Sequence, residues 1–278
     1  MKQDLVFDLG MHKGEDTAFY LKKGFRVVGV EANPELANFC RKRFAAEVAS
    51  GSLKIIEGAI VSKDTVNKGT VTFYKNVEES EWGTIQPAWR DRNVYLGFGS
   101  IEIEVPCVDL GAIFEGYGVP YYMKIDLEGA DRVCFEFLED APEKPRYLSI
   151  EDEKVYFPQI VKDLQTLCAL GYRQFRTVQQ QSIPGSHYQG VDRYGQHMAH
   201  CFEFGASGPF GPDLPGQWMT AEEILTEYKE IFRMYRIFGD NSLFERHHRL
   251  QRLRKRLSHY LRRPLPGWYD THAALDIR

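Results

Sequence analysis

Long apolar runs are missing from this chain. None reaches the ~18 residues that a membrane-spanning helix needs, so no span is expected. Cysteine is sparse. Cys40, Cys107, Cys134, Cys168 and Cys201 are odd in number, widely spaced and in no C-x-x-C pair. That excludes a disulfide frame or a zinc-thiolate site and points to reduced thiols in a cytoplasmic protein. An excess of positive charge is also absent. The net charge is −4, so no general attraction to nucleic acid is expected. There is no internal repeat and no low-complexity tract. Met-Lys-Gln-Asp leads straight into a strand pattern, so no signal peptide is expected. His187, His197 and His200 lack the spacing of metal ligands. What remains is a chain of 278 residues, 43% apolar, enough for one α/β domain with an appendage.

Strand and helix patterns alternate over the first two-thirds. Strands are expected at about 4–10, 26–31, 53–61, 70–76, 101–108, 121–126 and 147–151, with helices at about 15–23, 34–48, 130–138 and 158–170. Segments 172–180 and 198–204 are expected to close the sheet as an antiparallel pair. Residues 77–100, with Trp82, Gly83, Trp89 and Gly97, read as a long functional loop. This βα alternation predicts a mostly parallel sheet covered by helices on both faces. After a Gly- and Pro-rich stretch at 205–216, Thr220 is the predicted N-cap of a helix reaching about 238. A basic helix is expected over 241–263, with Leu243, Phe244, Leu250, Leu253, Leu257 and Leu261 on one face.

The first strand runs into Asp8-Leu-Gly10-Met11-His12-Lys-Gly14, and Glu31 ends the second strand. A dinucleotide site would place its glycines as G-x-G-x-x-G to receive a pyrophosphate. The wider spacing here, without the third glycine, argues against a nicotinamide dehydrogenase and for S-adenosylmethionine, which has no phosphate. Gly10 and Gly14 then permit close backbone approach to its methionine part. Asp8 is placed to hold the amino group, and Glu31 to accept both ribose hydroxyls. Met11, His12 and Thr17 belong to the same turn and the helix after it. Ala32 follows Glu31, and Glu57, Gly58 and Ala59 are expected near the adenine.

A second constellation is Lys124-Ile-Asp126-Leu-Glu128-Gly129. In an extended strand, period two puts Lys124, Asp126 and Glu128 on one side. They can position a hydroxyl, act as base or hold a divalent cation. A buried Lys124–Asp126 ion pair is the competing reading. Glu57 and Glu151 also fall at strand ends on the same rim, and Trp82, Trp89 and Trp268-Tyr-Asp-Thr-His272 can frame an acceptor or anchor loops.

On Val6-Phe-Asp-Leu-Gly-Met-His-Lys-Gly14 with Thr17, Val30-Glu-Ala-Asn-Pro34 and Met123-Lys-Ile-Asp-Leu-Glu-Gly-Ala130, the chain resembles the FkbM family of S-adenosylmethionine-dependent methyltransferases. Leu148-Ser-Ile-Glu151 and Leu170-Gly-Tyr172 match later parts of the family pattern, while Met11-His12 stands where many members have a small residue and Asn. The resemblance covers about 1–180. It implies an α/β, Rossmann-like, doubly wound, mostly parallel sheet of the class I methyltransferase type, with Asp8, Gly10, Gly14 and Glu31 at the cofactor. It also implies methylation of a saccharide or secondary-metabolite hydroxyl, a small-molecule acceptor. The expected organisation is a methyltransferase domain over 1–205 and a C-terminal loop and helical extension over 206–278. The competing expectation is a non-catalytic module that recruits an anionic partner through the basic helix.

Overall fold

The computed structural model describes residues 1–151, 156–239, 242, 248–260, 265 and 267–275. A seven-stranded sheet forms its centre. Strands β1 (Lys2–Leu9), β2 (Arg26–Glu31), β3 (Leu53–Glu57), β7 (Pro120–Ile125), β8 (Tyr147–Glu151), β9 (Tyr172–Gln179) and β12 (Tyr269–Leu275) lie in the order β3-β2-β1-β7-β8-β12-β9. The first five are parallel. β12 runs antiparallel to both its neighbours. The chain leaves β1 for β2 on one side and returns to β7 on the other, so the order of strands reverses beside β1. A Rossmann-like sheet opens its ligand crevice at the carboxyl ends of strands at such a point.

Period two decides what each face of β1 does. Leu5, Phe7 and Leu9 enter one apolar cluster with Val28, Val30, Met123 and Ile125. Helices α6 (Leu110–Tyr117), α7 (Arg132–Asp140), α8 (Phe157–Ala169) and α9 (Ala221–Phe238) pack onto that cluster from this face. Val6 faces the other way, with Phe19 and Tyr20 of α1 (Glu15–Lys22), Ala37 and Cys40 of α2 (Pro34–Arg43), and Phe210. Asp8 shares this second face and is fully buried.

Several elements follow directly from local chemistry. Asn33 caps α2 by accepting the Glu35 N–H, and Pro34 occupies the first turn. Thr220 and Glu223 form a reciprocal capping box at the start of α9, where Thr220 was expected to begin a helix. The expected helix over 34–48 is broken at Phe44 into α2 and α3 (Ala45–Ser50). Phe44 turns its ring against Gly14, where a Cβ would come within 2.4 Å of it. No helix had been expected over 110–117. Asp109 caps α6 by accepting the Gly111 N–H at 2.8 Å.

Two further expectations are corrected. Segments 172–180 and 198–204 do not pair. β9 takes β12 as its neighbour, while β11 (His197–Cys201) pairs with β10 (His187–Val191) in a separate hairpin. The tail sequence YDTHAAL hides a strand because its buried positions include Asp270, Thr271 and His272. Thr271 shares a hydroxyl–hydroxyl hydrogen bond of 2.6 Å with Tyr228 of α9. The span expected as an appendage, 206–278, thus contributes one strand of the sheet it was to flank.

The segment 77–100 is also not a bare loop. β5 (Thr70–Asn76) and β6 (Ser100–Val108) pair antiparallel, and short β4 (Ala59–Ile60) joins β6. Between β5 and β6 lie a 3₁₀ turn (Ser80–Trp82) and helix α5 (Pro87–Tyr95). The Asn76 carboxamide oxygen accepts the Glu78 and Glu79 N–H groups, and Trp82 packs edge-on against Phe98. α4 is the short turn of helix Lys63–Val66. Of the basic helix expected over 241–263, α10 (His248–Tyr260) is described, while 243–247 and 261–264 lie outside the described residues. Among the described residues no helix is long and apolar enough to cross a membrane.

Candidate active site

The carboxyl ends of β1, β2 and β7 open into a cleft of about 370 Å³. Of the sequence-predicted cofactor residues, Gly10, Met11, His12, Glu31, Ala32, Gly58 and Ala59 line it, as do Lys124, Asp126 and Glu128.

Glu31 is the best-defined of them. It ends β2 almost fully buried, and its two carboxylate oxygens accept the backbone N–H groups of His12 and Asn33, each at 2.8 Å. Burial pushes its pKa up to about 7, against the pull of these two hydrogen bonds. Its neighbour across the sheet register, Glu57, is not brought to the cleft. That side chain pairs with Arg41 at 2.7 Å near the surface.

The glycines also have a reason within the chain itself. A Cβ on Gly10 would lie 1.8 Å from the carbonyl oxygen of Asp126. Gly10 therefore lets the ends of β1 and β7 close on each other. Gly14 gives way to the Phe44 ring, as above. Both have positive φ (84° and 80°), the region open to glycine. Gly14, Asp8 and Thr17 sit beneath the cleft rather than on its wall. Thr17 donates to Asp8 at 2.6 Å.

That floor is a buried charge cluster. Lys124 Nζ lies 3.2 Å from Asp126, 3.4 Å from Asp16 and 3.7 Å from Asp8. Burial works against the ammonium, but the three carboxylates hold its pKa well above the usual lysine value. Burial raises Asp8 to about 6 and also raises Asp16. Asp16 accepts the N–H of Ser207 at 2.8 Å and of Gly208 at 3.4 Å, tying the 205–208 loop to α1. Sequence reasoning missed Asp16 because an acidic residue in a helix's first turn already has an ordinary reason to be there.

The stretch after β7 does not stay extended, so Lys124, Asp126 and Glu128 do not form the straight file expected. β7 ends at Ile125, and the Asp131 carboxylate accepts the N–H groups of Leu127 (2.8 Å) and Gly129 (3.1 Å). Glu128 is thereby turned into a left-handed conformation with φ 47°. Thr84 donates to the Glu128 carbonyl at 2.7 Å, docking the 77–100 excursion onto this turn. The cleft lining also includes Trp82, Trp89, Arg92, Gln180 and Trp268. Gly129 makes room for Trp89, whose indole nitrogen would lie 2.4 Å from a Cβ there. Asp126, Glu128 and Glu151 each offer a carboxylate oxygen within 4.8 Å of the others, close enough to share a cation.

The family-level comparison identifies residues 8–174 as a Methyltransferase FkbM domain, more than half of the chain. The chain belongs to the FkbM family. It is therefore an S-adenosylmethionine-dependent methyltransferase of the kind its motifs resemble. Among curated proteins nothing matches. Solved structures similar to the FkbM chain include a SAM-dependent methyltransferase from Thiobacillus denitrificans in complex with S-adenosyl-L-homocysteine. It is 14% identical, with 99% of this chain and 86% of that chain covered, at a TM-score of 0.35. The C-terminal domain of a precorrin-6Y C5,15-methyltransferase from Rhodobacter capsulatus is 10% identical over 73% and 77% of the two chains, with a TM-score of 0.37. An O-methyltransferase from Bacillus cereus is 12% identical over 70% and 71%, with a TM-score of 0.32.

Proposed function

We propose that the protein transfers the methyl group of S-adenosylmethionine to a hydroxyl of a saccharide or secondary metabolite. The carrying observation is Glu31. It is a buried carboxylate at the end of β2, anchored through both oxygens by backbone N–H groups and still lining the cleft. Each oxygen keeps a further lone pair to accept a ribose hydroxyl. The donor set fits a cationic nucleoside. Carboxylates lining the cleft outnumber its cations, nine of them, including Glu31, Asp126 and Glu128, set against Arg92 and Lys124. Gly58 and Ala59 flank the adenine side, and Gly10 and Met11 the methionine side. When bound, the sulfonium supplies an electrophilic methyl group. The chain's part is to place the acceptor oxygen in line with it, which is where much of the rate of such a transfer comes from.

Trp82, Trp89 and Trp268 offer flat faces for a sugar ring or an aromatic acceptor. Asp126 and Glu128 orient the reacting hydroxyl, and with Glu151 they can hold a divalent cation. Trp268 and Asp270 of the tail complete the acceptor wall, so residues 206–278 serve the same cleft as 1–205. The test is a panel of saccharide and secondary-metabolite acceptors incubated with labelled methyl donor, the linkage being read by mass spectrometry and NMR. An O-methyl product supports the reading. Transfer only to nitrogen, carbon or RNA would sink it. Loss of turnover on chelation, restored by magnesium, would assign the cation.

A further inference from the structure

His12 is held by four contacts, of which the cofactor reading uses only the one to Glu31. Its backbone N–H is bound by Glu31, and its carbonyl accepts the Cys40 thiol at 3.2 Å. Its Nδ1 lies 3.0 Å from Glu15 Oε1, and its Nε2 lies 2.8 Å from Ser80 Oγ. Its φ of 49° is a conformation an L-residue adopts at a cost, which these contacts meet. Glu15 is almost fully buried. Burial opposes its charge, yet its hydrogen bond with His12 helps bring its pKa below the ordinary value. An ionised carboxylate only accepts hydrogen bonds, so Nδ1 carries a proton, and in the neutral imidazole Nε2 is then the nitrogen with the lone pair. Ser80 Oγ shows that a hydroxyl fits at hydrogen-bonding distance from that lone pair, inside the cleft. Asp126, the alternative proton acceptor, is instead engaged by the Lys124 ammonium at 3.2 Å.

We infer that His12, oriented by Glu15, is the base that takes the proton of the acceptor hydroxyl. This rests on the hydroxyl-methylation reading above. The acceptor oxygen takes the place of Ser80 Oγ beside Nε2. As its lone pair forms the new bond to the methyl carbon, the carbon–sulfur bond breaks and its electron pair returns to sulfur. The O–H proton passes to Nε2, and the resulting imidazolium is paired with Glu15 until solvent removes the proton. The charged and titratable groups facing His12 are Glu15 from α1, Glu31 from β2, Glu81 from the 80–82 turn, the Cys40 thiol from α2 and the adjacent Lys13.

The test is kcat against pH, with labelled methyl donor and a hydroxyl acceptor, for the wild type and His12→Asn. Asparagine tolerates positive φ and keeps the backbone contacts. In the wild type kcat should rise with pH as the base deprotonates. In His12→Asn kcat should fall by ~10²–10⁴-fold and that rise should vanish, with donor affinity within about threefold of wild type. A packing role alone would lower kcat without removing the rise. Should His12→Asn fail to fold, Glu15→Gln serves. Neutralising Glu15 removes support for the imidazolium, so the rise should move to lower pH. An unmoved rise in Glu15→Gln, or a retained rise in His12→Asn, overturns the assignment while leaving hydroxyl methylation standing. A wild type that methylates no hydroxyl overturns both.

Discussion

The two halves of the cleft are built differently. The half proposed to hold the donor is made of strand ends: Gly10 closes on Asp126, Glu31 is held by two N–H groups, and Lys124 gathers three carboxylates beneath. Its parts are buried and mutually constrained. The half proposed to receive the acceptor is made of excursions: the 80–82 turn and α5, the 205–208 loop, and the residues around Trp268. These reach the sheet through a few polar ties, such as Thr84 to Glu128 and Ser207 to Asp16. On the proposed reading, a donor site of buried strand ends beside a separately built acceptor wall lets the wall vary without disturbing the donor.

The severest challenge to this contrast is Lys124→Met. It leaves Asp8 and Asp16 buried without their cation, and stability to urea should fall by about 3–5 kcal/mol. A loss below about 1 kcal/mol would mean the floor is not held by charge. Next comes Glu31→Ala, for which calorimetry should show S-adenosylmethionine binding weakened by about 100-fold, as expected when two hydrogen bonds to a charged group are lost. Unchanged affinity would remove Glu31 from the ribose. On the acceptor side, Trp89→Ala should lower kcat/KM by about tenfold through lost stacking and packing, with donor affinity kept. Equal damage to donor binding would show that the halves are not separable.

A gentler probe is pH. The folded-state pKa of Glu31, about 7, lies above its ordinary value of 4.5. The folded protein therefore holds this proton more tightly than the unfolded chain. The resulting contribution is present in full below about pH 4.5 and is lost as pH rises through about 7. If donor binding uses the carboxylate as proposed, it should strengthen up to about pH 7 and then level off. Glu31→Gln should flatten both trends; persistence of either in that variant would assign it to another group. The smallest effect belongs to Glu57→Ala. Breaking its surface pair with Arg41 should cost at most about 1 kcal/mol and leave donor affinity within about twofold.

Glu31 and Glu57 show how far the sequence could be read. Both end neighbouring strands and face each other in register, and both were expected at the cofactor. Strand-end position was legible; which way each side chain turned was not. Arg41, sixteen residues before Glu57, draws it to the surface, and no local pattern announces that. The same holds for β12. Alternation reveals a strand when its buried face is apolar, but here Asp270, Thr271 and His272 are buried, and their acceptability depends on neighbours such as Tyr228. Lys124 and Asp126 were seen as a pair, yet Asp8 and Asp16 join them only because β1 and β7 lie side by side.

By itself, the sequence determined the alternating strands and helices, the turns that only glycine allows, the Thr220 cap and the carboxylates at the sheet's rim. Those depend on neighbours within a few residues, where periodicity and backbone sterics decide. The tertiary structure alone decided which carboxylates meet Lys124, which strand completes the sheet, and that the imidazole of His12 stands between Glu15 and Ser80. Such contacts join residues far apart in the chain, and their energies depend on burial that exists only after the strands have paired.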